Sequence, residues 1–215
     1  MKFSRESLLL YAVTDRNWLN GRKLIDDVQA AISGGASFVQ LREKNLAYDE
    51  FKAEALEVQA LCKKFNIPFV INDNVKLACE INSDGVHVGQ DDMAASDVRA
   101  LIGENKILGV SVGNVEEALK AEACGADYLG AGAVFHTGSK SDAVDISHSE
   151  LKAICRAVKI PVVAIGGINA NNIHELENSG IAGAAVISAI FAAQDITKAA
   201  QELRSLSEKF FKSRD

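Results

Sequence analysis

The stretch Leu8-Leu9-Leu10-Tyr11-Ala12-Val13-Thr14-Asp15-Arg16 is an apolar run that breaks abruptly into polar residues. It predicts a strand over Leu8–Val13, apolar on both faces as in a covered parallel sheet. The residues just past the strand separate two folds. A doubly wound sheet that binds a dinucleotide places G-x-G-x-x-G after its first strand. Here no glycine stands nearby; Thr14, Asp15 and Arg16 take those positions instead. That removes the open-sheet alternative in its dinucleotide form.

The same unit recurs along the chain. Further runs at Phe38–Leu41, Phe69–Ile71, Gly85–Val88, Ile107–Val110, Tyr128–Gly130, Val162–Ile165 and Ala184–Ile187 predict seven more strands. Between them lie stretches with near-helical apolar spacing: Tyr48 to Phe65, Val115 to Ala123 and Leu151 to Val158. Ser149 is the expected N-cap of the last of these, with Glu150 at its positive end. Gly34-Gly35, Gly125 and Gly180 stand where helices should stop before the next strand. Eight such units predict an α/β protein, a single (β/α)8 TIM barrel over residues 1–215.

In such a barrel the residues just after each strand line the active-site face. Strand two runs into Gln40-Leu41-Arg42-Glu43-Lys44, and period-two alternation sends Gln40, Arg42 and Lys44 to one side. Two cations and an amide there suit an anionic substrate; the plainer reading pairs the cations with carboxylates such as Glu43. Strand three leads into Asn72-Asp73 and strand four into Gln90-Asp91-Asp92. Asp73 or Asp92 alone reads as a turn or cap residue. As a pair from neighbouring strand ends they suit Mg²⁺, which takes one or two carboxylates, waters and phosphate oxygens. Asp91 competes with Asp92. Gly166-Gly167 and Ser188, after strands seven and eight, match the usual phosphate position in barrels. Thr137-Gly138-Ser139-Lys140 lies in the longest connection, roughly Ala133 to His148. Connections that long are often binding loops, and hydroxyls with a lysine suit phosphate.

Other classes are disfavoured. The net charge is −6, which offers no basic excess for nucleic acid or an anionic membrane. No apolar run reaches the ~18 residues of a spanning helix, and Met1 to Leu10 lacks the order of a secretory signal. A cytoplasmic address is expected. Cys62, Cys79, Cys124 and Cys155 are scattered and read as buried reduced thiols. His87, His136, His148 and His174 form no zinc pattern, and no G-x-S-x-G elbow is present.

These residues carry a resemblance. Val13-Thr14-Asp15, Gln40-Leu41-Arg42-Glu43-Lys44, Ile71-Asn72-Asp73, Asp84-Gly85-Val86-His87-Val88-Gly89-Gln90, Gly125-Ala126-Asp127-Tyr128, Ala164-Ile165-Gly166-Gly167-Ile168 and Val186-Ile187-Ser188-Ala189-Ile190 resemble the thiamine-phosphate synthase family. The blocks stand in family order over nearly the whole chain. The resemblance implies a transferase that joins hydroxymethylpyrimidine diphosphate to a thiazole phosphate, or its carboxylated form, releasing diphosphate. It further implies that the methylene–oxygen bond breaks early and that the thiazole nitrogen attacks the pyrimidine carbocation. It implies Mg²⁺ on Asp73 and Asp92, and Arg42, Lys44, Asn72 and Lys140 on the diphosphate. Gln40 and Ser111 would orient the aminopyrimidine. Gly167, Ile187 and Ser188, with Thr137 and Ser139, would hold the thiazole phosphate.

The chain departs from the family pattern at a few positions. Ala133 stands for a common proline after Gly132, His136 for another proline, and Ser139 for threonine. Gly113-Asn114 stands where a histidine is frequent. Two rivals remain: a thiazole tautomerase, which needs a proton-transfer group, and a silent barrel that binds a phosphorylated metabolite. The sequence leaves a homodimer open.

Overall fold

The computed structural model describes residues 3–138 and 145–211. Its eight strands are β1 (Leu10–Val13), β2 (Phe38–Leu41), β3 (Phe69–Asn72), β4 (Gly85–Val88), β5 (Ile107–Val112), β6 (Tyr128–Gly132), β7 (Val162–Ile165) and β8 (Gly183–Val186). All neighbours pair in parallel and in chain order, and β8 pairs with β1, so the sheet closes into a barrel. The outer layer holds α1 (Leu24–Ser33), α2 (Tyr48–Phe65), α3 (Val75–Glu80), α4 (Ala95–Ile102), α5 (Val115–Ala123), α6 (His148–Ala157), α7 (Ser188–Phe191) and α8 (Ile196–Phe211). The TIM-barrel expectation is met.

The strands are apolar on both faces because each face has a core. Outward residues such as Leu10, Val39, Ile71, Val86 and Leu129 pack beneath the helices. Inward residues, among them Tyr11, Phe38, Val70, Ile107, Tyr128 and Val163, fill the barrel itself. The lower interior is aromatic: the Phe3, Phe38 and Tyr128 rings meet edge to face at 5.6–5.9 Å, and Tyr11 lies 4.5 Å from Phe38.

Several sequence expectations need correction. Leu8 belongs to a 3-10 turn, Arg5–Leu8, and not to β1. The Arg5 guanidinium ties that turn beneath the barrel by donating to the carbonyls of Gly180 and Ile181 at 3.2 and 2.9 Å. Leu8 is fully buried in the turn, as it would be in a strand, so apolarity alone does not tell the two apart. Ile187 lies just past β8 and is the N-cap of α7. Ser147, not Ser149, caps α6, accepting from Glu150 N at 3.1 Å. Between β7 and β8 the outer layer is a 3-10 turn, Ile173–Leu176, where a helix was expected. Asparagines explain this: Asn172 Oδ1 accepts from Asn169 N, and Asn169 Oδ1 from Asn171 N. Such local bonds compete with helix. The four cysteines are free, as expected, but only Cys62 is buried; Cys124 and Cys155 are half-buried and Cys79 is exposed.

Candidate active site

Alternation in β2 turns Gln40 inward, where its Nε2 donates to the Tyr11 hydroxyl at 2.6 Å. Arg42 and Lys44 follow the strand. Arg42 Nη1 donates to Asp15 Oδ2 at 3.2 Å, and its backbone N donates to Thr14 Oγ1 at 3.0 Å. The loop after β1 therefore holds Arg42 in place. Asp15, which sequence reasoning gave no role, is 5% exposed and also accepts from Asn17 N at 2.9 Å. Lys44 Nζ reaches Asp73 Oδ2 at 2.8 Å. Glu43, the plainer partner for these cations, is taken by Arg16 at 2.7 Å.

Asp73 follows β3 in the left-handed region, φ 59°, and its N–H donates to His87 O at 2.8 Å. Asn74 then caps α3 through Leu77 N at 2.9 Å. Asp92 comes from the end of β4, and its Oδ2 accepts from Gly89 N at 2.7 Å. Burial first, and the neighbouring Asp73 carboxylate second, push the Asp92 carboxyl above the usual carboxylate range. The Gly89 N–H and Lys44 act in the opposite direction. A carboxylate raised by burial and by a neighbouring carboxylate, with an ammonium already drawn to that neighbour, makes a place where a cation is favourable. Among the described residues no three or more His, Cys, Asp and Glu side chains converge as a metal cage. Mg²⁺ held by two carboxylates and substrate oxygens needs none, so the donor set fits that ion.

A second constellation crosses the barrel interior. From Gln40 it runs through the Tyr11 hydroxyl to the Tyr128 hydroxyl at 2.7 Å, then to His87 Nδ1 at 2.9 Å. His87 Nε2 meets Ser111 Oγ at 2.8 Å. Five side chains from β2, β1, β6, β4 and β5 are thus joined end to end. Gly109 makes room for it. Its register partners are His87 on one side and Tyr128 on the other, and a Cβ there would fall 2.2 Å from Tyr128 Cζ and 2.4 Å from His87 Nδ1. Gln90 Nε2 donates to the Ser111 carbonyl at 2.6 Å. Sequence reasoning gave no role to Tyr11, Tyr128 and Gly109. Two phenols in strands at inward positions were the available signal.

On the other side of the mouth, Thr137 is half-buried and Ile187 and Ser188 open α7. The glycines after β7 have a packing reason. A Cβ on Gly166 would lie 2.5 Å from Ala133 Cβ, and one on Gly167 (φ 63°) 2.6 Å from His136 O. The loop after β6 therefore rests directly on the loop after β7. The Gly132–Ala133 peptide is cis. Asn114 caps α5 through Glu117 N at 2.9 Å, and Gly113 N donates to Glu117 Oε2 at 2.7 Å. Ser139 and Lys140 lie outside the described residues.

The arrangement defines a class: a (β/α)8 barrel with an ionic cluster and a hydrogen-bonded polar relay at its strand ends. Residues 10–190 match the family model described as thiamine monophosphate synthase. The chain is 52% identical over 194 residues to the thiamine-phosphate synthase of Clostridium tetani, covering 90% of this chain and 93% of that one. It is 47% identical over 196 residues to that of Methanobrevibacter smithii, covering 91% and 93%. The solved structure of a Pyrococcus furiosus thiamine phosphate pyrophosphorylase superposes with a TM-score of 0.88 at 40% identity, covering 96% of this chain and 98% of that one. The chain belongs to the thiamine-phosphate synthase family.

Proposed function

We propose that this chain catalyses the condensation of hydroxymethylpyrimidine diphosphate with a thiazole phosphate, giving thiamine phosphate and diphosphate in thiamine diphosphate biosynthesis. The observation that carries the reading is the meeting of Lys44, Asp73 and Asp92, contributed by the ends of three successive strands. Asp73 and Asp92 would hold Mg²⁺. When bound there, Mg²⁺ supplies charge neutralisation to the departing diphosphate. Arg42, Lys44, Asn72 and Lys140 hold the diphosphate oxygens. Asp15 keeps the Arg42 guanidinium oriented for this, at 3.2 Å.

Gln40 and Ser111 orient the aminopyrimidine ring. Backbone at Gly167, Ile187 and Ser188, with the Thr137 and Ser139 hydroxyls, seats the thiazole phosphate. Bond breaking ahead of attack asks for a stabilised leaving group more than a general base. That favours this reading over a tautomerase, which needs a proton-transfer group at the reacting carbon. Residues 1–215 act as one catalytic domain, in the cytoplasm, on small-molecule substrates and not on nucleic acid. Among the described residues, no helix is long and apolar enough to cross a membrane.

The test is coupling of the two purified substrates with and without Mg²⁺. Thiamine phosphate should form with Mg²⁺ and fall to background with excess chelator. No product at saturating Mg²⁺ overturns the reading.

A further inference from the structure

The relay through the barrel interior has a direction. Each tyrosine hydroxyl has one proton to give. Gln40 Nε2 donates to Tyr11 at 2.6 Å, so the Tyr11 oxygen accepts there and its own proton goes to Tyr128, 2.7 Å away. Tyr128 must then give its proton to His87 Nδ1 at 2.9 Å. A histidine that accepts at Nδ1 carries its proton on Nε2 and donates it to Ser111 Oγ at 2.8 Å. The Ser111 proton is thereby released toward the mouth. Burial raises both phenols above their ordinary range, so neither ionises to break the sequence. Tyr11, Tyr128, Gln40 and His87 are all buried, with Gln40 at 4% and His87 at 7% exposure.

We infer that Tyr11, Tyr128 and His87 are positioning residues that fix the hydrogen-bond polarity of the mouth, so that Gln40 presents an acceptor and Ser111 a donor. The two ends are locked together. Turning the Gln40 amide over would make Oε1 the partner of Tyr11, which must then donate to it. Tyr128, His87 and Ser111 would all have to reverse in turn. An isolated glutamine pays no such penalty for a flip.

The consequence is selectivity for the exocyclic group of a pyrimidine. An amino group donates to Gln40 Oε1 while a ring nitrogen accepts from Ser111. A 4-oxo pyrimidine sets an oxygen against Oε1 and is refused, because the relay forbids the compensating flip. Buried polar groups left without partners are what give such sites large discrimination.

This selectivity rests on the substrate reading above; the proton order does not. The experiment therefore has two arms. ¹⁵N NMR of the free protein should show His87 as the Nε2–H tautomer, whereas an Nδ1–H or doubly protonated ring overturns the proton order. The second arm compares kcat/KM for the 4-amino and 4-oxo pyrimidine diphosphates. Tyr11→Phe keeps the ring against Phe38 and removes only the hydroxyl that commits the amide. It should lower the amino-to-oxo ratio at least ~10-fold, and Tyr128→Phe, one link further along, should do the same. A merely structural role would depress both substrates together and leave the ratio intact, and that result overturns the inference. If the parent protein couples neither pyrimidine, the substrate reading falls, and the relay is judged on the His87 tautomer.

Discussion

Gly109→Ala places a methyl group where two side chains already meet. The added Cβ would lie 2.2 Å from Tyr128 Cζ, 2.3 Å from its hydroxyl oxygen and 2.4 Å from His87 Nδ1. β5 is paired on both sides at this level, so its backbone has little freedom to retreat. The phenol or the imidazole must move instead. Overpacking of this kind costs about 1–3 kcal/mol. Displacing the phenol also breaks its 2.7 and 2.9 Å hydrogen bonds in a buried setting, at about 1 kcal/mol each. The expected loss is about 3–5 kcal/mol, a large share of a stability that is typically about 5–15 kcal/mol. For a chain of this length that corresponds to a Tm drop of about 5–15 °C. Urea unfolding should show a lower midpoint with an unchanged slope. Combined with Tyr128→Phe, which removes one of the three close atoms, the two changes should couple favourably by about 1 kcal/mol. A Gly109→Ala variant within about 0.5 kcal/mol of the parent refutes the argument, since that is the range of ordinary surface substitutions.

Asp92→Asn should lose most turnover yet melt slightly higher at pH 7. The folded state raises this carboxyl, so its ionised form costs stability at neutral pH, and that cost vanishes as pH falls through the raised value. The side chain is largely exposed, so the gain is small, about 1 °C; a lower Tm, or parental turnover, sinks this account. Arg99→Ala should destabilise by about 2–4 kcal/mol in urea without altering KM. Arg99 donates to Gly103 O at 2.7 Å, Lys106 O at 2.8 Å, Gly125 O at 2.7 Å and Asp127 Oδ2 at 2.6 Å, all away from the mouth. A rise in KM with normal stability contradicts it. Thiol labelling of the native protein should modify Cys79 first, because it is exposed. Cys62 should stay unmodified until unfolding, since burial, with Asp84 nearby, pushes its thiol up to about 12. Labelling of Cys62 at the rate of Cys79 shows that the α2 packing is looser than its burial implies.

The barrel was legible because every strand carries its apolar residues on both faces, a signal that survives without tertiary information. The absence of a helix between β7 and β8 was not, because the Asn169 and Asn172 side chains bond to backbone only once the turn has formed. Lys44, Asp73 and Asp92 were legible as chemistry at strand ends, but which carboxylate Lys44 takes depends on the β2–β3 register. Gln40 and Ser111 were named separately. Their connection was hidden, because Tyr11, Tyr128 and His87 come together only through the stagger of a closed sheet. The glycines after β7 carry a second constraint besides the one their sequence suggested. Their residue type suggested close approach by an anion, and the structure shows close approach by the chain's own loop at Ala133 and His136.

The pairing of β8 with β1 bears on how the chain is made as well as on its shape. Leu10, Tyr11 and Ala12 find their partners at Ala184, Ala185 and Val186. Arg22 reaches Phe191 O, Thr197 reaches Ala30 O, and Arg204 reaches Gly35 O. The seam is therefore sewn from the two extremes of the sequence. A ribosome delivering this chain releases β1 long before β8 exists, and until then β1 and the newest strand both present open edges. Contacts of such long sequence separation form late, so a nascent or truncated chain that ends before β8 exposes two unpaired strands. Handling that interval during synthesis, more than strengthening the finished core, is the demand that circular closure places on the cell.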